Sequence, residues 1–180
     1  MYFYFIYIMK KNKYMSWDVY FMSIAILSSF RSKDTKSQNG ACIVNPEKKV
    51  VGVGYNGLPI GLDDSNPIFW SDDDNSYLYS KHSYVIHAEQ NAIFNKNTEN
   101  LKGCVLYVTL FPCRECAKSI CQMGISKVIY FDIKPHHEDK NKAVLLMFKH
   151  LNISCIKFSD LNLVDSSFID ELKLLSNKYV

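Results

Sequence analysis

At 180 residues, 48% hydrophobic and 22% charged, the chain has the composition of one ordinary globular domain with a core of its own. A formal net charge of +3 is mild; it suits small anionic ligands and gives no sign of the basic surface that marks a nucleic-acid binder.

Residues 1–14 read as an extension outside the fold. Met1 to Met9 are apolar and aromatic, and Lys10, Lys11 and Lys13 follow them. The apolar run is far short of the about 20 residues that span a bilayer. No basic stretch precedes it and no small-residue cleavage site follows, so a signal peptide fits poorly. A loose membrane or partner anchor is the alternative reading.

Residues 15–180 read as a single domain. Ser16 is placed to cap a helix running to about Ser29, with Tyr20, Phe21, Ile24, Ala25, Leu27 and Ser28 as its buried face. Arg31 to Gly40 is polar and reads as a loop. Ala41–Val44 and Val50–Tyr55 are β-rich runs around Asn45-Pro46-Glu47-Lys48-Lys49, the pattern of a hairpin. Gly52 and Gly54 leave one face of the second strand nearly bare, which invites close approach by another backbone. Residues 56–83 lack periodicity and carry an acidic cluster at Asp63, Asp64, Asp72, Asp73 and Asp74. Structureless loops this long in a compact domain are usually functional or mobile, and we take this one as an insertion within the single domain.

Beyond the insertion, a helix is expected from His87 to about Lys96 and a strand over Val105–Leu110. Pro112 suits the first turn of a helix from about Cys113 to Met123, closed by Gly124. A strand over Lys127–Phe131 follows. Next come a helix over Asp139–Leu151 with Ala143, Leu146 and Met147 buried, a strand over Ile153–Phe158, and a terminal helix over Asp165–Ser176. A hairpin followed by strand–helix repeats makes an α/β domain, a mixed sheet with helices on both faces.

The chemistry concentrates between His87 and Cys116. His87-Ala88-Glu89 opens this stretch and Pro112-Cys113-Arg114-Glu115-Cys116 closes it. One histidine and two cysteines three apart are one ligand short of a closed tetrahedral zinc site, so they favour an open position holding water. Two cysteines at a helix start share a face, and the helix terminus favours their thiolate forms. Zinc lowers the pKa of its water toward about 7. Glu89 is of the right type to carry the protons. A structural zinc knot with His82, His136 or Cys104 as fourth ligand is the alternative, and thioredoxin-like redox chemistry is a third reading of the Cys-x-x-Cys pair. His82 and His150 otherwise read as surface residues; His136 and His137 follow a strand end, where site residues of open sheets cluster, yet a place for one of them at the pocket is the less favoured reading.

The chain is not a short secreted scaffold, so its six cysteines do not read as a disulfide framework. Cys42, Cys104, Cys121 and Cys155 sit in apolar runs as small hydrophobes. The compartment is read as reducing and cytoplasmic.

His-x-Glu followed by Pro-Cys-x-x-Cys is the signature of zinc-dependent nucleobase deaminases. The sequence resembles the cytidine and deoxycytidylate deaminase superfamily over about residues 19–158. The zinc motif carries the superfamily. His87-Ala88-Glu89-x-Asn91-Ala92-Ile93, Pro112-Cys113-x-Glu115-Cys116-Ala117-Lys118 and Gly40-Ala41 stand as that family has them, while Arg31-Ser32-Lys33-Asp34 and Gly54-Tyr55-Asn56-Gly57-x-Pro59-x-Gly61 are what point to its deoxycytidylate branch. The resemblance implies a three-layer fold with a five-stranded mixed sheet, hydrolysis of dCMP to dUMP for thymidylate synthesis, and a homohexamer. It implies activation by dCTP with Mg²⁺ and inhibition by dTTP. By the same resemblance His87, Cys113 and Cys116 hold zinc, Glu89 shuttles protons, Asn56 meets the sugar hydroxyl and Arg31 the phosphate. The family's tyrosine after the fourth strand and arginine near the last strand fall on Pro135 and Ile156 here, with Lys157 next door on the other face. These departures leave Arg31 as the chief phosphate anchor. Gln38-Asn39-Gly40 also departs from the apolar residue that usually precedes the glycine.

Two other functions compete. A deaminase of tRNA or single-stranded DNA needs a basic channel with stacking aromatics, which the acidic 63–74 stretch opposes. A non-catalytic, zinc-stabilised partner subunit would have no use for Glu89.

Overall fold

The computed structural model describes residue 11 and residues 14–73, 75–135 and 137–176. The extension 1–14 therefore lies almost wholly outside the described residues, and so do Asp74 and His136. A hairpin of β1 (Gly40–Val44) and β2 (Val50–Tyr55) forms one edge of a five-stranded sheet. β3 (Val105–Leu110), β4 (Lys127–Asp132) and β5 (Ser154–Lys157) complete it in the order β2-β1-β3-β4-β5. β1 pairs antiparallel with both β2 and β3, whereas β3, β4 and β5 run parallel. Parallel neighbours need crossovers, and α3 (Arg114–Gln122) and α4 (Glu138–His150) supply them.

Side chains alternate along each strand, so the sheet has two cores. Ile43, Leu106 and Val128 join one cluster with α3, α4 and α2 (Ala88–Phe94). Cys42, Val44, Tyr107 and Ile129 join the other with α1 (Trp17–Ser29) and α5 (Ser167–Ser176). The result is the three-layer, cytidine deaminase-like sandwich expected from the sequence.

Ser16 caps α1 as expected, its Oγ accepting from the Val19 N–H at 3.4 Å. The buried face of α1 is a correction: Val19, Phe21, Met22, Ala25 and Ile26 are buried, while Tyr20 and Leu27 are exposed. The helix is apolar nearly all round, so its own pattern does not set the phase. α4 is corrected in the same way. Val144 and Phe148 are buried, Met147 is only partly so, and Ala143 and Leu146 are exposed. Pro112 precedes the cap of α3 rather than entering its first turn, because Cys113 takes the N-cap position. Gly124 does close that helix, with φ +70°.

The bare face of β2 is filled by α2. A Cβ on Gly54 would collide with the Ala92 nitrogen and the Ala88 carbonyl oxygen, and one on Gly52 with the Ala92 carbonyl. Residues 56–83 are less irregular than the sequence suggests. They hold 3-10 turns at Pro67–Trp70 and Lys81–Ser83 and a bridge between Asp72 and Ser80. Gly57 pairs with Ile86 just before the site.

Candidate metal centre and substrate cavity

The site is built where two helices begin. His87 is the N-cap residue of α2 and Cys113 that of α3, both in extended backbone geometry. Because β2 and α2 are packed backbone to backbone, the start of α2 is held firmly against the sheet. β3, separated from β2 by β1 alone, delivers Cys113, and Cys116 sits buried in the first turn of α3.

His87 Nδ1 lies 3.4 Å from both Cys113 Sγ and Cys116 Sγ. All three donor atoms lie within 4.8 Å of one another. Donors held about 2.0–2.3 Å from a tetrahedral ion stand roughly 3.3–3.8 Å apart, so the set fits zinc. Among the described residues no fourth His, Cys, Asp or Glu joins this group. His82 instead lies 3.8 Å from Asp72, and Cys104 is buried in the core. His136 lies outside the described residues.

The electrostatics divide the two thiols: the bond between them holds Cys113 low and, with burial, pushes Cys116 up. The Cys116 thiol beside it draws the Cys113 thiol down to about 3, and His87 adds to this. The Cys116 N–H also donates to Cys113 Sγ at 3.5 Å, the normal capping bond at a helix start. A hydrogen bond with Cys113 raises the pKa of His87, against burial and against the positive charge of Lys134. Glu89, in the first turn of α2, is buried, and burial raises its carboxyl pKa.

His87, Glu89 and Cys113 face one cavity of about 650 Å³. Val85, Val108, Leu110 and Phe111 give it an apolar wall, while Asn56, Ser37 and Asn39 give it a polar one. Of its basic side chains, Lys36, Lys81, His82 and Arg114 each lie within 4.0 Å of a carboxylate. Lys134, His137 and Lys140 also line it and have no ion-pair partner among the described residues.

The structure thus brings together His87, Glu89, Cys113, Cys116 and Asn56. It does not bring Arg31 to them: Arg31 is exposed and is not part of the cavity lining. Its N–H bonds the Ser28 carbonyl in the turn that ends α1, and the chain enters the cavity wall only with Asp34. The sequence reading missed Asp34, Lys81, Lys134 and Lys140. Each is a charge in a loop or at a helix start, with no motif spacing to single it out. Of the two histidines after the strand end, His137 lines the cavity, against the reading that the sequence favoured.

A histidine and two cysteine sulfurs beside a buried acid, in a cavity with one apolar and one polar wall, suit hydrolysis of a small polar ring, and the sequence comparisons lead to the same class. The chain belongs to the zinc-dependent cytidine and deoxycytidylate deaminases, whose zinc-binding region matches residues 15–132. Within that family it is similar to deoxycytidylate deaminase of Mus musculus, at 49% identity over 83% of this chain and 84% of the relative. The Homo sapiens deoxycytidylate deaminase is likewise 49% identical, over 83% of each chain. Among solved structures, the dCMP deaminase of cyanophage S-TIM5 in complex with dCMP and dUMP superposes with a TM-score of 0.64 at 27% identity. That match covers 81% of this chain and 100% of the phage chain.

Proposed function

We propose that this enzyme hydrolyses dCMP to dUMP, consuming one water and releasing ammonia. The observation that carries this reading is the meeting of the three donors with buried Glu89 at a cavity that His87, Glu89 and Cys113 line. The deoxycytidylate deaminases among its relatives supply the substrate.

His87, Cys113 and Cys116 are the residues that would hold zinc. When bound, zinc supplies a water brought to a pKa near about 7. Glu89 accepts a proton from the attacking water and delivers protons to the ring nitrogen and the departing amine. Its burial keeps bulk water away from that exchange and favours the protonated form that the second half of the cycle needs. Val108, Leu110 and Phe111 provide an apolar bed for the base. Asn56 meets the sugar hydroxyl. Lys134 and Lys140, cavity lysines with no ion-pair partner among the described residues, are the groups to meet the phosphate, with His137 beside them in the lining.

The homohexamer, the cytoplasmic location, activation by dCTP with Mg²⁺ and inhibition by dTTP belong to the same proposal, and their support is the resemblance in sequence. Among the described residues no helix is long and apolar enough to cross a membrane.

The test is ammonia release from dCMP, dCTP, deoxycytidine and a single-stranded cytosine-containing oligonucleotide in parallel. dCMP should be the best substrate by a wide margin. Preference for the oligonucleotide would replace this reading with nucleic-acid editing, and no turnover of any of the four by zinc-loaded protein would point to a non-catalytic subunit.

A further inference from the structure

Two buried charges beside the cavity have no part in the chemistry above. Asp34 and Lys81 have side chains only 6% and 7% exposed, and Lys81 Nζ donates to Asp34 Oδ1 at 2.8 Å. Desolvated charges persist only when well paired and hydrogen bonded. Here the same carboxylate oxygen also accepts from the Lys36 N–H at 2.8 Å and the Ser37 N–H at 3.1 Å. Lys81 is fixed in turn by its own N–H, which donates to the Ser71 carbonyl at 2.6 Å. The ammonium therefore holds the carboxylate, and the carboxylate shapes the turn over residues 34–37.

That turn grips Asn56. The Ser37 carbonyl accepts from Asn56 Nδ2 at 2.8 Å, and the Asn39 N–H donates to Asn56 Oδ1 at 2.7 Å. An amide offers two donors and two acceptor positions. The turn occupies one of each and so decides which end of the amide faces which way, leaving one N–H and one lone pair for a ligand. A flipped Asn56 would set two donors against each other at Asn39.

We propose that the Lys81–Asp34 pair is a positioning device for Asn56: it couples the 56–83 insertion to the 34–39 turn and thereby orients the amide toward the substrate's sugar. Lys81 is a positioning residue in this scheme and does not touch the substrate. Its ammonium is already bound to Asp34, with Asp72 a further 4.0 Å contact, and two carboxylates at that spot oppose an incoming phosphate. The inference rests on the proposed contact of Asn56 with the sugar hydroxyl.

The experiment compares kcat/KM for dCMP, its 2′,3′-dideoxy analogue and deoxycytidine. The proteins are wild type, Asn56→Ala, Lys81→Met, Lys81→Arg, Asp34→Asn and the double variant Lys81→Met/Asp34→Asn. Wild type should prefer dCMP over the dideoxy analogue by ~10-fold or more, and Asn56→Ala should abolish that preference. Lys81→Met and Asp34→Asn should lose most of it, through KM more than kcat, and Lys81→Arg should restore part of it. Should Lys81→Met fail to fold with Asp34 left uncompensated, the double variant and Asp34→Asn must show the same loss. Folded variants with lower Tm but an intact hydroxyl preference would reduce the pair to a stabilising contact and overturn the proposal. Loss of the preference for dCMP over deoxycytidine, with the hydroxyl preference intact, would make Lys81 a phosphate ligand and overturn it too. If Asn56→Ala itself keeps the hydroxyl preference, the reading of Asn56 fails first, whatever the Lys81 variants do.

Discussion

At the scale of single residues, Glu89 is where chemistry separates from structure. Glu89→Gln preserves shape and hydrogen-bonding length but cannot accept and return protons. The variant should bind about one zinc per chain and fold normally, while kcat falls by about 10²–10⁴-fold. Metal analysis and initial rates on the same preparation check this; more than about a tenth of wild-type turnover would mean that another group moves the protons. Arg31 is the opposite case. Because it is exposed and outside the cavity, Arg31→Ala should lower kcat/KM for dCMP and for deoxycytidine by similar small factors, so that its effect and that of removing the phosphate add. A large rise in KM for dCMP alone would return Arg31 to the phosphate. The site residues divide in the same way in the sequence. His87, Glu89, Cys113 and Cys116 were legible because local spacing at two helix starts fixes their meeting. Asp34 and Lys81 were not, because their partnership spans 47 residues and each alone looks like a solvated charge.

At the scale of elements, the contact between β2 and α2 governs where His87 and Glu89 stand. Gly54→Ala would drive a methyl into the Ala88 and Ala92 backbone, where neither neighbour is a flexible side chain. Overpacking of that kind costs about 1–3 kcal/mol. It should appear as a lower denaturation midpoint at unchanged slope, together with lost activity as α2 is pushed from the sheet. Gly57→Ala is the control: its Cβ meets only the Tyr55 ring at 3.4 Å, and little should change. Strand positions were readable, Val105–Leu110 to the residue, because that short β-rich run is bounded by Gly103 and Pro112; the last strand, Ser154–Lys157, is a residue shorter at each end than its apolar run. Helix faces were not. The run Val144 to Phe148 is apolar throughout, so two phases one residue apart fit equally well. Only the sheet beneath selects Val144 and Phe148.

On the scale of the whole molecule, the two cores meet the sheet from opposite sides, yet the donor set draws on one side only, from α2 and α3. Those helices make few contacts with each other. Cys113 both starts α3 and offers a sulfur to the metal, while its sulfur also receives the Cys116 N–H. A chelator should therefore act as a local melting agent before it acts as a global denaturant. With zinc stripped, backbone amides at the start of α3 should exchange with deuterated solvent faster than those in the interior of β3, whose ladder bonds to β1 and β4 are untouched. Mass spectrometry of peptides spanning residues 111–122 and 105–110 would read the two rates separately. Equal acceleration in both would mean that the ion stabilises the domain as a single cooperative unit and not through the start of one helix.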